Sequence, residues 1–266
     1  MLRSMYSGIS GMKNFQTKLD VIGNNIANVN TYGFKKGRVI FKDLVSQTIS
    51  GASAPTATKG GVNPKQVGLG SQMAAIDTID IQGSTQTTGR PLDVAIDGDG
   101  YLIVGEGTNK FYTRAGNLYL DKEGYLVTSS GLKVKDTGGA DIRINGGNID
   151  QIKNLGISDS GQISFIDNTG LQTGQIIGIA RFKNNGGLEK AGENLYVETA
   201  NSGPAVVKTP ASDGAGKLVS GALEMSNVDL SEEFTEMIVA QRGFQANTRI
   251  ITTSDEILQE LVNLKR

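Results

Sequence analysis

The stretch LSEEFTEMIVAQRGFQANTRIITTSDEILQELVNL, residues 230–264, decides the fold of this chain. Ten positions along it are separated by alternating steps of four and three residues, and seven of these ten positions are apolar. The ten positions are Leu230, Phe234, Met237, Gln241, Phe244, Thr248, Ile251, Asp255, Leu258 and Val262. A repeat of this kind over several heptads predicts a helix that packs lengthwise against another helix.

The other end of the chain carries a matching pattern. The same spacing gives Leu2, Met5, Ile9, Met12, Gln16, Leu19, Gly23 and Ile26, of which six are apolar. Residues 1–36 hold five basic groups and one acid, a net charge of +4, whereas residues 228–266 hold four basic groups and seven acids, a net charge of −3. Opposite charges on two amphipathic segments predict that the two helices pair with each other.

The ends of these helices have recognisable signals. Asp229 followed by Glu232 is the pattern of an N-terminal capping box, and Lys265 with Arg266 places positive charge at the opposite end of the helix dipole. The first helix is predicted to end in the run of asparagines before Gly33, with Gly33 as the left-handed residue that follows a helix.

Glycine and proline separate the helical ends from the middle. Of the 36 glycines, 31 lie between Gly37 and Gly221, and all five prolines lie there too. The sequence therefore predicts an α+β fold. We expect a helical coiled-coil domain of residues 1–36 and 228–266, an extended linker at 37–75 and a mainly antiparallel β domain at 76–227.

The middle of the chain consists of short apolar runs separated by turns. The runs at 92–97, 101–104, 111–114, 118–120 and 125–127 are divided by turn sequences such as Gly98-Asp99-Gly100 and Asp121-Lys122-Glu123-Gly124. This spacing predicts antiparallel hairpins, and we read Gly98–Gly100 as one hairpin turn. Further runs extend the predicted sheet to about residue 200.

Composition excludes several kinds of chemistry. The chain has no His, no Cys and no Trp, which removes the Ser-His-Asp and Cys-His catalytic systems, the usual zinc ligands and any disulfide. A net charge of −1 is unlike the basic footprint of a nucleic-acid-binding protein, and no segment is long and apolar enough to insert in a membrane. The N-terminal residues lack the apolar region of a secretory signal peptide. We expect no cofactor, no metal and no enzymatic activity.

Three local patterns admit two interpretations each. The carboxylate pairs Asp97 with Asp99 and Asp121 with Glu123 could serve a glycosidase-like enzyme, but they lie on tight turns that favour exposed acids. The same Asp97-Gly-Asp-Gly segment lacks an oxygen ligand at the next position of a calcium loop, where Tyr101 stands. The basic group Lys35, Lys36, Arg38 and Lys42 is read as a solvated face, and Asn28 and Asn30 are read as helix-terminating residues.

Four quoted segments resemble a known family. They are NNIANVNTYGFKK at 24–36, LDVAIDGDGYLIV at 92–104, YTRAGNLYLDKEGYLV at 112–127 and LEMSNVDLSEEFTEMIVAQRGFQANT at 223–248. In this order they are similar to the axial proteins of the bacterial flagellum, the rod and hook subunits, over nearly the whole chain. The residues that carry the resemblance most specifically, called the signature residues below, are Asn24, Asn25, Ala27, Asn28, Thr31, Gly33, Phe34, Gln241 and Arg242.

The resemblance implies a structural role. Members of this family are exported by the flagellar type III apparatus, without a cleaved signal peptide, and assemble into a hollow helical tube that transmits motor torque and passes exported subunits. Their implied partners are copies of themselves, neighbouring rod proteins, hook-cap and hook-filament junction proteins. The chain has no room for the outer domain of long hook proteins. Its opening MLRSMYSGISGMKNFQTKLDVIGNN and its ending TSDEILQELVNLKR look most like the short hook proteins of Gram-positive bacteria, with the distal rod protein as the alternative. The segment 47–68 is shared in kind with distal rod proteins.

The terminal stripes are the predicted assembly interface. They comprise Leu2, Met5, Ile9, Met12, Leu19, Ile26, Leu230, Phe234, Met237, Phe244, Ile251, Leu258 and Val262. We expect the helices to order fully only when neighbouring subunits cover their remaining faces. A polar inner wall would be supplied by Ser4, Ser7, Asn14, Gln16, Asn24, Asn25, Gln241, Gln245, Asn247 and Thr248. A coiled-coil adhesin is a further alternative, but its heptads would be contiguous rather than divided between the two ends of the chain.

Overall fold

The chain forms two compact units in the computed structural model, which describes residues 2–56, 59–107, 109–147, 152–168 and 170–264. The first, the helical unit, comprises Met1–Ala27, Gly37–Thr78 and Asp229–Arg266; the second, the β unit, comprises Asn28–Lys36 and Ile79–Val228. The predicted α+β class, with paired terminal helices and a mainly antiparallel middle, is confirmed. The predicted domain bounds at 36, 75 and 227 stay a prediction.

The helical unit joins two long helices to two short ribbons. Its elements are α1 (Leu2–Ala27), β1 (Gly37–Asp43), β2 (Ser46–Ser50), β3 (Lys65–Gly68), β4 (Ser71–Thr78) and α2 (Leu230–Asn263). Strand β1 pairs antiparallel with β4, and β2 pairs antiparallel with β3. Helices α1 and α2 pack against each other, and α1 also contacts β1 and β4.

The β unit contains the remaining strands. They are β5 (Thr85–Thr87), β6 (Val94–Asp97), β7 (Tyr101–Glu106), β8 (Asn109–Thr113), β9 (Tyr119–Leu120), β10 (Leu126–Val127), β11 (Lys133–Val134), β12 (Asn154–Ile157), β13 (Gln162–Asp167), β14 (Gly170–Ile176), β15 (Ile179–Arg181), β16 (Glu189–Gly192), β17 (Leu195–Val197), β18 (Val206–Lys208), β19 (Lys217–Ser220) and β20 (Ala222–Glu224), with 3₁₀ turns at Ile144–Gly147 and Asn185–Gly187. The largest sheet has the order β16-β17-β8-β7-β11-β10-β9, and β15 joins it through β7.

Strand β7 is the centre of the β unit because it is buried on both faces. Leu102 and Val104 point into one apolar cluster, and Tyr101 and Ile103 point into another. Side chains of a strand alternate between faces, so a strand covered on both sides has a continuous apolar sequence. This explains the run YLIV and confirms the hairpin of β7 with β8 and that of β9 with β10.

The Gly98–Gly100 turn is not a hairpin turn, and that prediction is wrong. Strand β6 before it pairs with β19, whereas β7 after it pairs with β8, β11 and β15. The glycines serve close packing: a Cβ on Gly100, whose φ is +134°, would lie 2.2 Å from Cγ2 of Ile179. The sequence reveals a tight turn but not which strands it joins.

One predicted helix end is confirmed and one is wrong. The Asp229 side chain accepts hydrogen bonds from the backbone N–H groups of Ser231 (2.8 Å) and Glu232 (3.4 Å), as expected of an N-cap. Helix α1, however, ends at Ala27, so Gly33 lies well beyond the position that follows a helix. Lys265 and Arg266, predicted to complement the dipole, lie outside the described residues.

Candidate assembly site

The two helices meet along a regular stripe, the helix seam. On α1 its members are Met5, Gly8, Met12, Phe15, Leu19, Ile22 and Ile26, and on α2 they are Glu233, Met237, Ala240, Phe244, Asn247, Ile251, Ser254 and Leu258. These positions alternate in steps of three and four and are all buried or half-buried. The helices run antiparallel, since Gly8 faces Ile251 near one end and Asn25 contacts Glu233 near the other.

The helix seam shares every second position with the predicted stripe, and the positions between these are displaced by one residue, for example from Ile9 to Gly8. Every second predicted position lies in it: Met5, Met12, Leu19, Ile26, Met237, Phe244, Ile251 and Leu258. Ile9, Leu230, Phe234 and Val262 are instead exposed, and the Leu2 side chain lies outside the described residues. The positions between the shared ones are Gly8, Phe15 and Ile22 on α1 and Glu233, Ala240, Asn247 and Ser254 on α2.

Small residues at the helix seam allow the helices to approach closely. A Cβ added to Gly243 would lie 2.5 Å from Cζ of Phe15, so the Phe15 ring occupies the space that a side chain would need. Gly8 approaches the Ile251 side chain, and Gly11 approaches the Asn247 amide in the same way. A hydropathy pattern does not reveal these positions, because a glycine contributes to packing by leaving space that a side chain of the other helix fills.

The seam is closed at one end by a buried polar cluster. Asn25 is 1% exposed, and its amide donates to Gly37 O (2.9 Å) and accepts from Gly37 N–H (3.0 Å). The same amide nitrogen lies 3.1 Å from Oε2 of Glu233, which is 6% exposed. A single signature side chain therefore joins α1, the first residue of β1 and α2. Lys18 and Glu236 form an ion pair on the same pair of helices.

Large apolar side chains remain exposed on the outer faces of the helices. On α2, Val239, Ile250, Ile257 and Leu261 are between 43% and 54% exposed and follow spacings of 11, 7 and 4 residues. Such spacings place them on one side of a 3.6-residue helix, away from the helix seam. On α1 the side chains of Tyr6 and Ile9 are exposed as well. Several large exposed apolar side chains on one side of a helix are typical of an interface with another chain.

The β2–β3 ribbon is a second exposed feature of the helical unit. Every described residue of β2 and β3 is exposed, and the antiparallel register continues beyond them through bridges from Ser53 to Val62 and from Thr56 to Lys59. Ile49 and Val62 are 66% and 53% exposed. A ribbon without a covered face is poorly stabilised by itself, which favours a contact with a further molecule.

The signature segment after α1 is built into the β unit. Gly33 has a φ of +69°, and a Cβ there would lie 2.6 Å from the backbone carbon of Arg114. Its N–H donates to the Glu224 carbonyl (2.8 Å). Phe34 is buried, and Thr31 donates its hydroxyl to the Asn28 side chain. Glycine is thus needed at residue 33 for backbone conformation and for close approach, not for ending the helix.

Lys35 is buried in an ionic cluster, so its assignment to a solvated face is wrong. Its ammonium donates to Oε1 of Glu224 (2.7 Å) and to Ile81 O (2.8 Å), and Arg114 donates to Oε2 of the same carboxylate (3.3 Å). Asp80 lies 3.9 Å from the Lys35 ammonium. Burial lowers the pKa of Lys35 below its ordinary value, although the Glu224 carboxylate opposes that change. The burial depends on an acid 189 positions away.

The other charged and polar candidates occupy ordinary structural positions. Arg38 pairs with Asp77 on the surface, and Asp97 pairs with Lys217. The remaining carboxylates of the candidate pairs, and the remaining signature residues, are exposed: Asp99, Asp121, Glu123, Asn24, Ala27, Gln241 and Arg242. Asn14 and Asn25 are buried, so they are wrong as members of an exposed inner wall; Asn14 donates to Ser71 instead.

Comparison with known proteins identifies the class. Three family models match: "Flagella basal body rod protein" at residues 5–35, "Flagellar hook protein FlgE/F/G D1 domain" at 95–165 and "Flagellar basal body rod FlgEFG protein C-terminal" at 219–264. Two of these matches contain the helices of the seam. The chain therefore belongs to the family of flagellar rod and hook proteins.

Individual relatives align over the whole chain. The chain is 61% identical over 268 positions to the flagellar basal-body rod protein FlgG of Bacillus subtilis and 43% identical over 278 positions to that of Borreliella burgdorferi. It is 33% identical over 441 positions to the flagellar hook protein FlgE of Borreliella burgdorferi. Each alignment covers all of this chain and all of the relative. The protein is an axial structural component of the bacterial flagellum.

In the part of the chain that the structure describes, α1 and α2 are the helices of 18 residues or more. Neither α1 nor α2 combines the length and the apolarity that crossing a membrane requires.

Proposed function

We propose that this chain is a subunit of the distal rod and polymerises into a straight, hollow helical tube that transmits motor torque. The observation that carries the proposal is alignment length. The rod relatives align over 268 and 278 positions, close to the 266 residues of this chain, whereas the hook relative requires 441. The sequence alone favours the hook, and the comparisons support the rod better.

The helical unit supplies surfaces for polymerisation. Its helix seam is already occupied within one molecule, so neighbouring copies contact the outer faces, where Val239, Ile250, Ile257 and Leu261 are exposed. A repeated contact between two different surfaces that does not close into a ring generates a helical filament. Of the 13 residues predicted from the sequence, eight lie in the intramolecular helix seam, and Ile9, Leu230, Phe234 and Val262 are exposed and available to a neighbouring copy.

The uncharged side of α2 suits a channel wall. Gln241 and Gln245 are exposed and Thr248 is half-buried beside them, and none of the three carries a charge. These three side chains bind an unfolded polypeptide weakly because none of them offers an apolar surface or a strong electrostatic attraction. We propose that this side faces the channel through which the type III export apparatus passes later subunits.

The β2–β3 ribbon favours a rigid rod over a bending hook. Its exposed apolar residues Ile49 and Val62 are available to a neighbouring subunit. Contacts that a ribbon makes outside the helical core oppose sliding between subunits, and sliding is what curvature requires. Partners of the tube would be rod proteins at one end and hook proteins at the other. Hook-cap and hook-filament junction proteins would be partners if the chain formed the hook.

The location and shape of the native polymer test this proposal. Basal bodies with attached hooks are purified from cells that carry an epitope inserted next to Thr56, an exposed residue of the ribbon, and are labelled with gold-conjugated antibody. The rod proposal expects label on a short straight segment within the basal body. Label along a curved segment outside the envelope would establish the hook function instead. A strain with the epitope at the exposed turn 129–131 of the β unit controls for masking of the ribbon.

A further inference from the structure

The chain passes between the two units four times, and three of the passages lie next to one another in the β unit. The passages follow residues 27, 36, 78 and 228. Beside the last three lie the segments 33–36, 79–83 and 224–228. Three of the four backbone connections between the units therefore pass through these segments, whatever the arrangement of the units.

Hydrogen bonds and ion pairs tie these three segments together. Lys35 donates to Glu224 (2.7 Å) and to Ile81 O (2.8 Å), which joins all three with one ammonium group. The Asn227 side chain accepts from Lys36 N–H (2.8 Å) and donates to Ile79 O (2.8 Å), which joins them a second time. Oε1 of Glu224 also accepts from Gly83 N–H (3.0 Å).

The cluster is anchored in the core of the β unit and is balanced in charge. Arg114, adjoining β8, donates to Oε2 of Glu224 (3.3 Å), and Asp80 accepts from the Tyr101 hydroxyl (2.9 Å) and from Asn185 (2.7 Å). Two cations face two carboxylates, and Lys35, Arg114 and Glu224 are each 2% exposed or less. Among the described residues, Oδ1 of Asp80 accepts no hydrogen bond and Nε of Arg114 donates none.

We infer that this cluster is a mechanical clamp that makes the three segments open only together and so carries torque between the β unit and the helical unit. The statement that the cluster carries torque rests on the proposed function. A buried ion pair is a poor source of net stability, but removing one partner leaves an uncompensated buried charge. This asymmetry suits a clamp, because a state in which only one segment has separated leaves a buried charge without its partner and is therefore higher in free energy than the closed state.

The first test uses hydrogen exchange of the purified full-length chain. The variant Lys35→Met removes one cation at similar side-chain length, and we expect amides of all three segments to lose protection together, by about 100-fold. The control Lys217→Met removes an exposed pair with Asp97 (3.2 Å) in the same unit and leaves the three segments protected. If Lys35→Met fails to fold, Glu224→Gln, which preserves size, is measured instead with the same expectation. Loss of protection confined to the substituted segment would overturn the clamp.

The second test measures function under load. Cells that produce Lys35→Met should assemble normal numbers of hooks and swim normally in dilute medium, but should lose speed in medium thickened with a viscous polymer. The Lys217→Met strain should match the parent strain in both media. Equal speed of the Lys35→Met and parent strains in viscous medium would refute the load-bearing role. The exchange experiment does not depend on where the protein assembles, so failure of the rod proposal would be recognised separately by gold labelling.

Discussion

The two adjacent signature asparagines of α1 should have opposite roles, and alanine substitution separates them. Asn25→Ala removes the amide that binds both backbone groups of Gly37 and approaches Glu233. Asn24, its neighbour in the same helix, is exposed. Both substitutions change helix propensity equally, by about 0.5 kcal/mol in favour of the variant. The comparison therefore isolates the effect of the buried amide.

The structure sets the magnitude of the difference. In Asn25→Ala the N–H and C=O of Gly37 lose partners in a site where the amide is 1% exposed. A buried backbone group without a partner costs about 1–3 kcal/mol, so two of them cost about 2–4 kcal/mol after partial access of water is allowed. We expect Asn25→Ala to lose about 2–3 kcal/mol of unfolding free energy and Asn24→Ala, at an exposed position, to change it by no more than about 0.5 kcal/mol.

Urea unfolding followed by circular dichroism at 222 nm measures this difference, because α1 and α2 supply the helical signal. Polymerisation of the same proteins, followed by sedimentation, gives the second readout. Asn24→Ala should unfold like the parent protein, so that any loss of polymerisation would assign Asn24 to an intermolecular contact. Equal unfolding free energies for the two variants would refute the role of Asn25 in joining α1, β1 and α2.

Three further predictions concern assembly, ordering and alkaline pH. Deleting residues 228–266 should abolish polymerisation and motility while the β unit stays soluble, because both β-unit clusters lie outside the deleted segment; light scattering and proteolysis check this. The monomer should show markedly less helical circular dichroism than the polymer, because the apolar outer faces are covered only by neighbours; equal signals would contradict this. Burial, with Glu198 nearby, raises the pKa of Tyr112 to about 12 from an ordinary value of 10.0. The β unit should therefore lose stability as the pH rises from about 10 to about 12, since the unfolded chain releases this proton first, and Tyr112→Phe should lessen that loss in urea titrations at pH 8 and pH 11.5.

Local patterns were sufficient to predict the elements. Periodicity identified both terminal helices, the cap at Asp229 followed from its type and position, and the turn sequence at 121–124 between two short apolar runs indicated the hairpin of β9 with β10. These features depend on residues close together in sequence. The family, too, follows from short segments whose order along the chain is preserved.

The tertiary structure decided which of these patterns face each other. Two stripes that both follow steps of three and four residues, but differ by one residue at every second position, have similar hydropathy. Packing contacts such as that of Phe15 over Gly243 distinguish the true helix seam from the displaced one. Lys35 resembles any surface lysine until Glu224, far along the chain, is placed beside it. Sequence records the apolarity and charge of each side chain, but the fit between surfaces and the pairing of buried charges arise only when distant segments are brought together.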